Sequence, residues 1–138
     1  MFFFCDNLSG STANWNWNTE QVTDMSEMFF NDGLFNADIS GWNTSNVTTM
    51  FEMFFAASTF NQPIGNWQTS NVTNMESMFG NATDFNHSLE NWNTSKVTNM
   101  SGMFLAAEKF NQPLTNWNTS EVTDMSNMLP SLPHLISP

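Results

Sequence analysis

Three observations predict a β-solenoid for this chain of 138 residues. Tryptophan recurs every 25 residues, at Trp17, Trp42, Trp67, Trp92 and Trp117. Valine keeps the same step at Val22, Val47, Val72, Val97 and Val122. So do two methionine series, Met25, Met50, Met75, Met100 and Met125, and Met28, Met53, Met78, Met103 and Met128. One unit carries too few apolar anchors to form a core alone, so units must stack and share one. The spacing predicts a right-handed coil of 25-residue rungs with short parallel strands and single helical turns.

The unit reads W-N-T-S-x-V-T-[DN]-M-x-x-M-F-x-x-A-x-x-F-N-x-x-[IL]-x-x. Val22-Thr23-Asp24-Met25 and its copies, β-branched at the start, are expected as short strands pairing in parallel with the next rung. Met25, Met28 and Phe29 have i, i+3, i+4 spacing, which predicts one turn of α- or 3₁₀-helix with an apolar face. Asp24, Asn74, Asn99 and Asp124 stand where that turn needs an N-cap. Gly and Asn cluster from Phe35 to Gly41, so an irregular corner follows, and a second short strand is expected from Ile39 to Trp42. Asn36, Asn61, Asn86 and Asn111 are expected as an internal ladder bonding the backbone of adjacent turns. Leucine-rich repeats use asparagine in the same way, so the expected fold is a β-solenoid of leucine-rich-repeat type, its rungs ~4.8 Å apart.

The whole chain reads as one repeat domain: a partial repeat 1–16, repeats 17–41, 42–66, 67–91 and 92–116, and a terminal partial repeat 117–138. Cys5 aligns with Ala57, Ala82 and Ala107, which predicts a buried structural thiol and not a nucleophile. The chain opens in mid-repeat, so Phe2, Phe3 and Phe4 are expected to pack the first rung against a neighbour. Pro130 and Pro133 remove backbone donors, so that stretch is expected to end pairing.

Composition narrows the function classes. Thirteen acidic residues face two basic ones, Lys96 and Lys109, for a net charge of −11. Such a surface repels phosphate backbones and anionic lipid, which argues against nucleic-acid binding and membrane docking. No apolar run reaches the ~20 residues that span a bilayer, so membrane insertion is not expected. A single cysteine provides neither a disulfide framework nor a thiolate metal cluster.

No catalytic constellation stands out. His87 and His134 do not recur in the repeat, and the carboxylates read as scattered surface charges, so no enzyme and no cofactor is expected. Ten of the 11 methionines hold two strict slots, which points to packing and not soft-metal binding. Asp24, Asp32, Asp38 and Asp124 do not recur as a calcium set, because the equivalent slots hold Asn, Thr or Ala. Two threonine ladders, Thr19, Thr44, Thr69, Thr94 and Thr119 and Thr23, Thr48, Thr73, Thr98 and Thr123, raise ice binding as a minor alternative. Nine N-x-S/T sequons make Asn7, Asn43, Asn46, Asn71, Asn81, Asn86, Asn93, Asn99 and Asn118 candidates for N-glycosylation. Asn43, Asn93 and Asn118 share the slot after tryptophan, and Asn46 and Asn71 share another.

The phrases Trp42-Asn43-Thr44-Ser45-Asn46-Val47-Thr48, Met53-Phe54 and Phe60-Asn61-Gln62-Pro63-Ile64 resemble the BspA-type leucine-rich-repeat surface proteins. The likeness is greatest to the 25-residue subgroup of lipoprotein-associated and protist or algal surface proteins. That resemblance implies an extracellular or cell-surface rod used for adhesion or display, and brings no catalytic residues. The leading expectation is an extracellular structural and adhesive module packing end to end into a homo-oligomer, a fibre or a longer parent array. Binding would then lie on variable positions such as Gln21, Asn46, Asn71, Lys96 and Glu121. The alternative is a monomeric adhesin segment binding a host protein or glycan through one face.

Overall fold

The structure is a computed structural model that describes residues 15–129. It corrects the expected architecture. Among the described residues there is no helix and no strand, so a β-solenoid of leucine-rich-repeat type, with short parallel strands and helical turns, does not form. What remains of parallel pairing is a single bridge per repeat: Asp24 to Thr49, Thr49 to Asn74, Asn74 to Asn99 and Asn99 to Asp124. The repeats still lie against one another, in a coil built almost wholly from turns.

The reason lies in the backbone from the first methionine onward. Glu27, Glu52, Ser77, Gly102 and Asn127 all adopt positive φ, between 52° and 62° except Glu52 at 50°. Asn31, Ala56, Asn81 and Ala106 do the same four residues later, at 55° to 59°. A helix needs negative φ throughout, so the i, i+3, i+4 apolar spacing is met differently. Met53 N–H bonds Met50 C=O at 3.2 Å and Ala57 N–H bonds Phe54 C=O at 3.0 Å, with Glu52 and Ala56 third in these turns. Positive φ at that position makes both turns type II. Between them Phe55 N–H closes on Glu52 C=O.

This geometry turns every second amide toward the next repeat. Met25, Glu27, Phe29 and Asn31 donate to the carbonyls of Thr49, Phe51, Met53 and Phe55 at 2.7–3.1 Å. Met50, Glu52, Phe54 and Ala56 repeat the pattern toward Asn74, Glu76, Met78 and Gly80. The intervening amides close the turns, so backbone donors find partners without any regular strand. Extended pairing would require both flanks of Asp24 to stay in the β region. The turn closed by Val22 N–H on Thr19 C=O and the left-handed Glu27 confine it to one residue.

Side chains stack in columns along the coil. The Trp42, Trp67, Trp92 and Trp117 rings follow one another at 6.4–6.5 Å with planes within 3° of parallel. The Phe29, Phe54, Phe79 and Phe104 rings stack at 5.5–5.6 Å. Each also lies on a ring of its own repeat, as Phe79 does on Phe85 at 4.1 Å. Val47, Val72, Val97, Met50, Met75, Met100, Met53, Met78 and Met103 are all fully buried. Each buried indole N–H still finds an acceptor, Trp42 on Trp15 C=O, Trp67 on Ile39 C=O and Trp92 on Ile64 C=O, and the half-buried Trp117 bonds Leu89 C=O. Gly65 is required where repeats approach, since a Cβ there would run into the Ser88 carbonyl oxygen.

Candidate functional site

Two surfaces emerge once the core is assigned. The first is the edge of the tryptophan column. The residues before tryptophan (Asn16, Gly41, Asn66, Asn91, Asn116) and after it (Asn18, Asn43, Gln68, Asn93, Asn118) are all exposed, although Trp42, Trp67 and Trp92 between them are buried. Period-2 alternation over three residues forces this: with the ring inward, both neighbours face outward. The Oδ1 of Asn43, Asn93 and Asn118 accepts the N–H of Ser45, Ser95 and Ser120 at 3.0 Å, closing an Asx turn. Asn66, Gln68, Asn91 and Asn93 border a groove of about 340 Å³ beside Trp67. A related groove of about 280 Å³ lies against Trp17 and Trp42, with Asn16, Asn18, Asp38 and Gly41 on its walls.

The second surface is the face of the last described repeat. Met125 is 46% exposed, whereas Met50, Met75 and Met100 in the same column are 0%. Leu114, Trp117, Met125, Met128 and Leu129 line a largely apolar groove of about 520 Å³ there.

The sequon asparagines divide by what their side chains do. Asn43, Asn93 and Asn118 are exposed and their Nδ2 atoms donate no hydrogen bond among the described residues. Asn46 and Asn71 instead tie repeats together: their Nδ2 atoms donate to Glu20 C=O at 2.8 Å and Ser45 C=O at 2.9 Å. Asn99 donates to Glu76 Oε2 at 2.9 Å. Asn81 is half-buried with positive φ, and Asn86 accepts both Asn111 N–H and the Gln112 amide. Asn7, Cys5, Phe2, Phe3 and Phe4 lie outside the described residues, as does His134.

The asparagine ladder makes the expected kind of bond in an unexpected place. Asn36 accepts Asn61 N–H at 2.9 Å and Asn61 accepts Asn86 N–H at 3.0 Å, but Asn36, Asn61 and Asn111 are exposed at a corner and not internal. The threonine ladders also part company. Thr19, Thr44, Thr69 and Thr94 are buried, each hydroxyl donating to a carbonyl of the following repeat at 2.9–3.1 Å. Thr23, Thr48, Thr73, Thr98 and Thr123 are exposed, and the last four donate to the preceding repeat's threonine carbonyl.

Charge is used structurally. Lys96 Nζ bonds Asn71 Oδ1 at 2.8 Å and Lys109 Nζ pairs with Asp84 at 2.7 Å, both across 25 residues. Asp38 and Asp124 are held below the ordinary carboxyl range by hydrogen bonds from Ser40 and Ser126. Glu52 is pushed up, first by burial and then by the charges of Glu27 and Glu76. Asp32 departs from the reading of the carboxylates as surface charges, since it is 3% exposed in the column of Ala57, Ala82 and Ala107. The alignment of that column was the signal for its burial. Among the described residues no three His, Cys, Asp or Glu side chains group as a metal site would require, and no helix is long and apolar enough to cross a membrane.

A family model described as "Mycoplasma protein of unknown function, DUF285" matches residues 1–97 and again residues 63–135. No curated protein and no solved structure matches the chain. Overlapping matches are what a repeated unit produces, because the model can be laid on the array in more than one register. The two matches together cover almost all of the sequence, and the chain belongs to this repeat family, DUF285.

Proposed function

We propose that this chain is an extracellular structural and adhesive module, related to the BspA-type surface proteins, whose repeats pack end to end with those of a second copy. The observation that carries the reading is the face of the 117–129 segment. There Met125 and the groove formed with Leu114, Trp117 and Leu129 present the apolar slots that a following repeat covers elsewhere in the coil. Thr119 is likewise exposed, while its counterparts Thr44, Thr69 and Thr94 donate into the next repeat. A repeat from another copy brings the matching carbonyls and rings in the same 25-residue register. Head-to-tail contacts of this kind grow into rods when they do not close.

The test is assembly against concentration. Light scattering on the chain is expected to show mass rising with concentration, with rods in electron micrographs. Met125→Glu, which places a charge in the groove, is expected to hold the chain monomeric. A wild-type chain that remains monomeric at millimolar concentration would falsify the end-packing reading.

A further inference from the structure

We propose that the asparagine-lined edge of the tryptophan column binds a neutral polysaccharide laid along the coil across several repeats. The proposal rests on the geometry of this edge and is independent of end-to-end packing.

The first ground is the chemistry of the two rows. Asn16, Asn66, Asn91 and Asn116 stand on one side and Asn18, Asn43, Gln68, Asn93 and Asn118 on the other. In a chain of net charge −11, neither row carries a charged side chain. A primary amide offers both donors and an acceptor, as a sugar hydroxyl does, and an uncharged row makes no Coulombic demand on its ligand.

The second ground is availability. The Nδ2 atoms of Asn43, Asn93 and Asn118 donate nothing among the described residues, because the Asx turns occupy only Oδ1. Those turns fix each amide in one orientation, which lowers the entropy lost on binding. Asn91 and Asn116 make no side-chain hydrogen bond among the described residues, and both are exposed. Gln68 is held only locally, through Asn66 C=O at 3.3 Å.

The third ground is shape and period. The groove of about 340 Å³ at Trp67 is bordered by amides from two repeats, Asn66 and Gln68 with Asn91 and Asn93. Its counterpart at Trp17 and Trp42 recurs two repeats away, where Gly41 leaves open space that no neighbouring atom fills within 4 Å and Asp38 adds a carboxylate to the wall that the groove at Trp67 lacks. Along this edge the tryptophan rings advance 6.4–6.5 Å from one repeat to the next, so an extended polymer laid on the column crosses several repeats. A polymer therefore meets equivalent amides repeatedly, and weak contacts add along its length. A small monosaccharide engages one groove and binds poorly.

The experiment is affinity electrophoresis of the whole chain through gels containing hydroxyethylcellulose, mixed-linkage β-glucan, mannan or, for comparison, anionic alginate. Retardation by at least one neutral polymer and none by alginate is expected. The triple variant Gln68→Ala, Asn91→Ala, Asn116→Ala removes amides that make no bond between repeats, so its melting curve should match the wild type while retardation falls at least tenfold. Thr73→Ala with Thr98→Ala, on another exposed row, should leave retardation intact. Met125→Glu should also leave it intact, which separates this surface from the end face. No retardation by any neutral polymer, equal retardation by alginate, or an unchanged triple variant overturns the proposal.

Discussion

Replacing Glu52 by glycine should stabilise the chain, a direction that ordinary substitution logic would not suggest. Glu52 sits third in a type II turn at φ 50°. A side chain held in the left-handed region costs about 1–2 kcal/mol. Glycine removes that cost but gives back about 0.5–1 kcal/mol through its greater freedom in the unfolded chain. The difference leaves Glu52→Gly more stable by about 0–1.5 kcal/mol from backbone alone, with a midpoint of about 0.75 kcal/mol. Gly102 already occupies the equivalent slot at φ 62°, so the geometry accepts the change.

Charge adds a separable second part. Burial, then Glu27 and Glu76, raise the Glu52 carboxyl above its ordinary value. The folded chain therefore holds this proton more tightly than the unfolded one. The group's favourable contribution is complete below the unfolded pKa and is lost as pH rises through the raised folded pKa. Ionised at neutral pH, Glu52 opposes folding. Glu52→Gln, which removes only the charge, should raise the urea midpoint at neutral pH and leave it unchanged near about pH 3. Glu52→Gly should raise it at both. A glycine variant with a lower midpoint in acid, where charge plays no part, refutes the backbone reasoning.

Two further outcomes follow from the columns. Phe79→Ala removes a fully buried ring that stacks on Phe54, Phe85 and Phe104, and should cost about 3–5 kcal/mol in denaturant melts. Leu34→Ala, at an exposed site, should change the midpoint little. Thr69→Val deletes a buried hydroxyl bonded to Asn93 C=O at 3.1 Å and should cost about 1–3 kcal/mol, because that carbonyl loses its partner. Thr73→Val, in the exposed ladder where water replaces the hydroxyl, should fall within about 0.5 kcal/mol of wild type.

The amino-acid sequence by itself determined the 25-residue step and the membership of the apolar columns. Trp67, Val72, Met75, Met78, Phe79 and Phe85 are all buried, and each was marked by recurrence alone. Periodicity reports which residues are kept from water, and burial is a property of side-chain chemistry repeated at fixed intervals. It does not report backbone dihedrals. The i, i+3, i+4 spacing of Met75, Met78 and Phe79 suits a helical turn and a pair of type II turns equally, and only Ser77 at φ 52° decides between them. Gly102 and Asn127 in that slot suit positive φ, but Glu27, Glu52 and Ser77 do not signal it, so the shared left-handed geometry became visible only where contacts between repeats hold it in place. The same holds for the asparagines. Nine sequons look alike in one dimension, but Asn71 is half-buried and bonded to Ser45 while Asn93 is exposed at a groove, a difference set by which way each turn faces the neighbouring repeat.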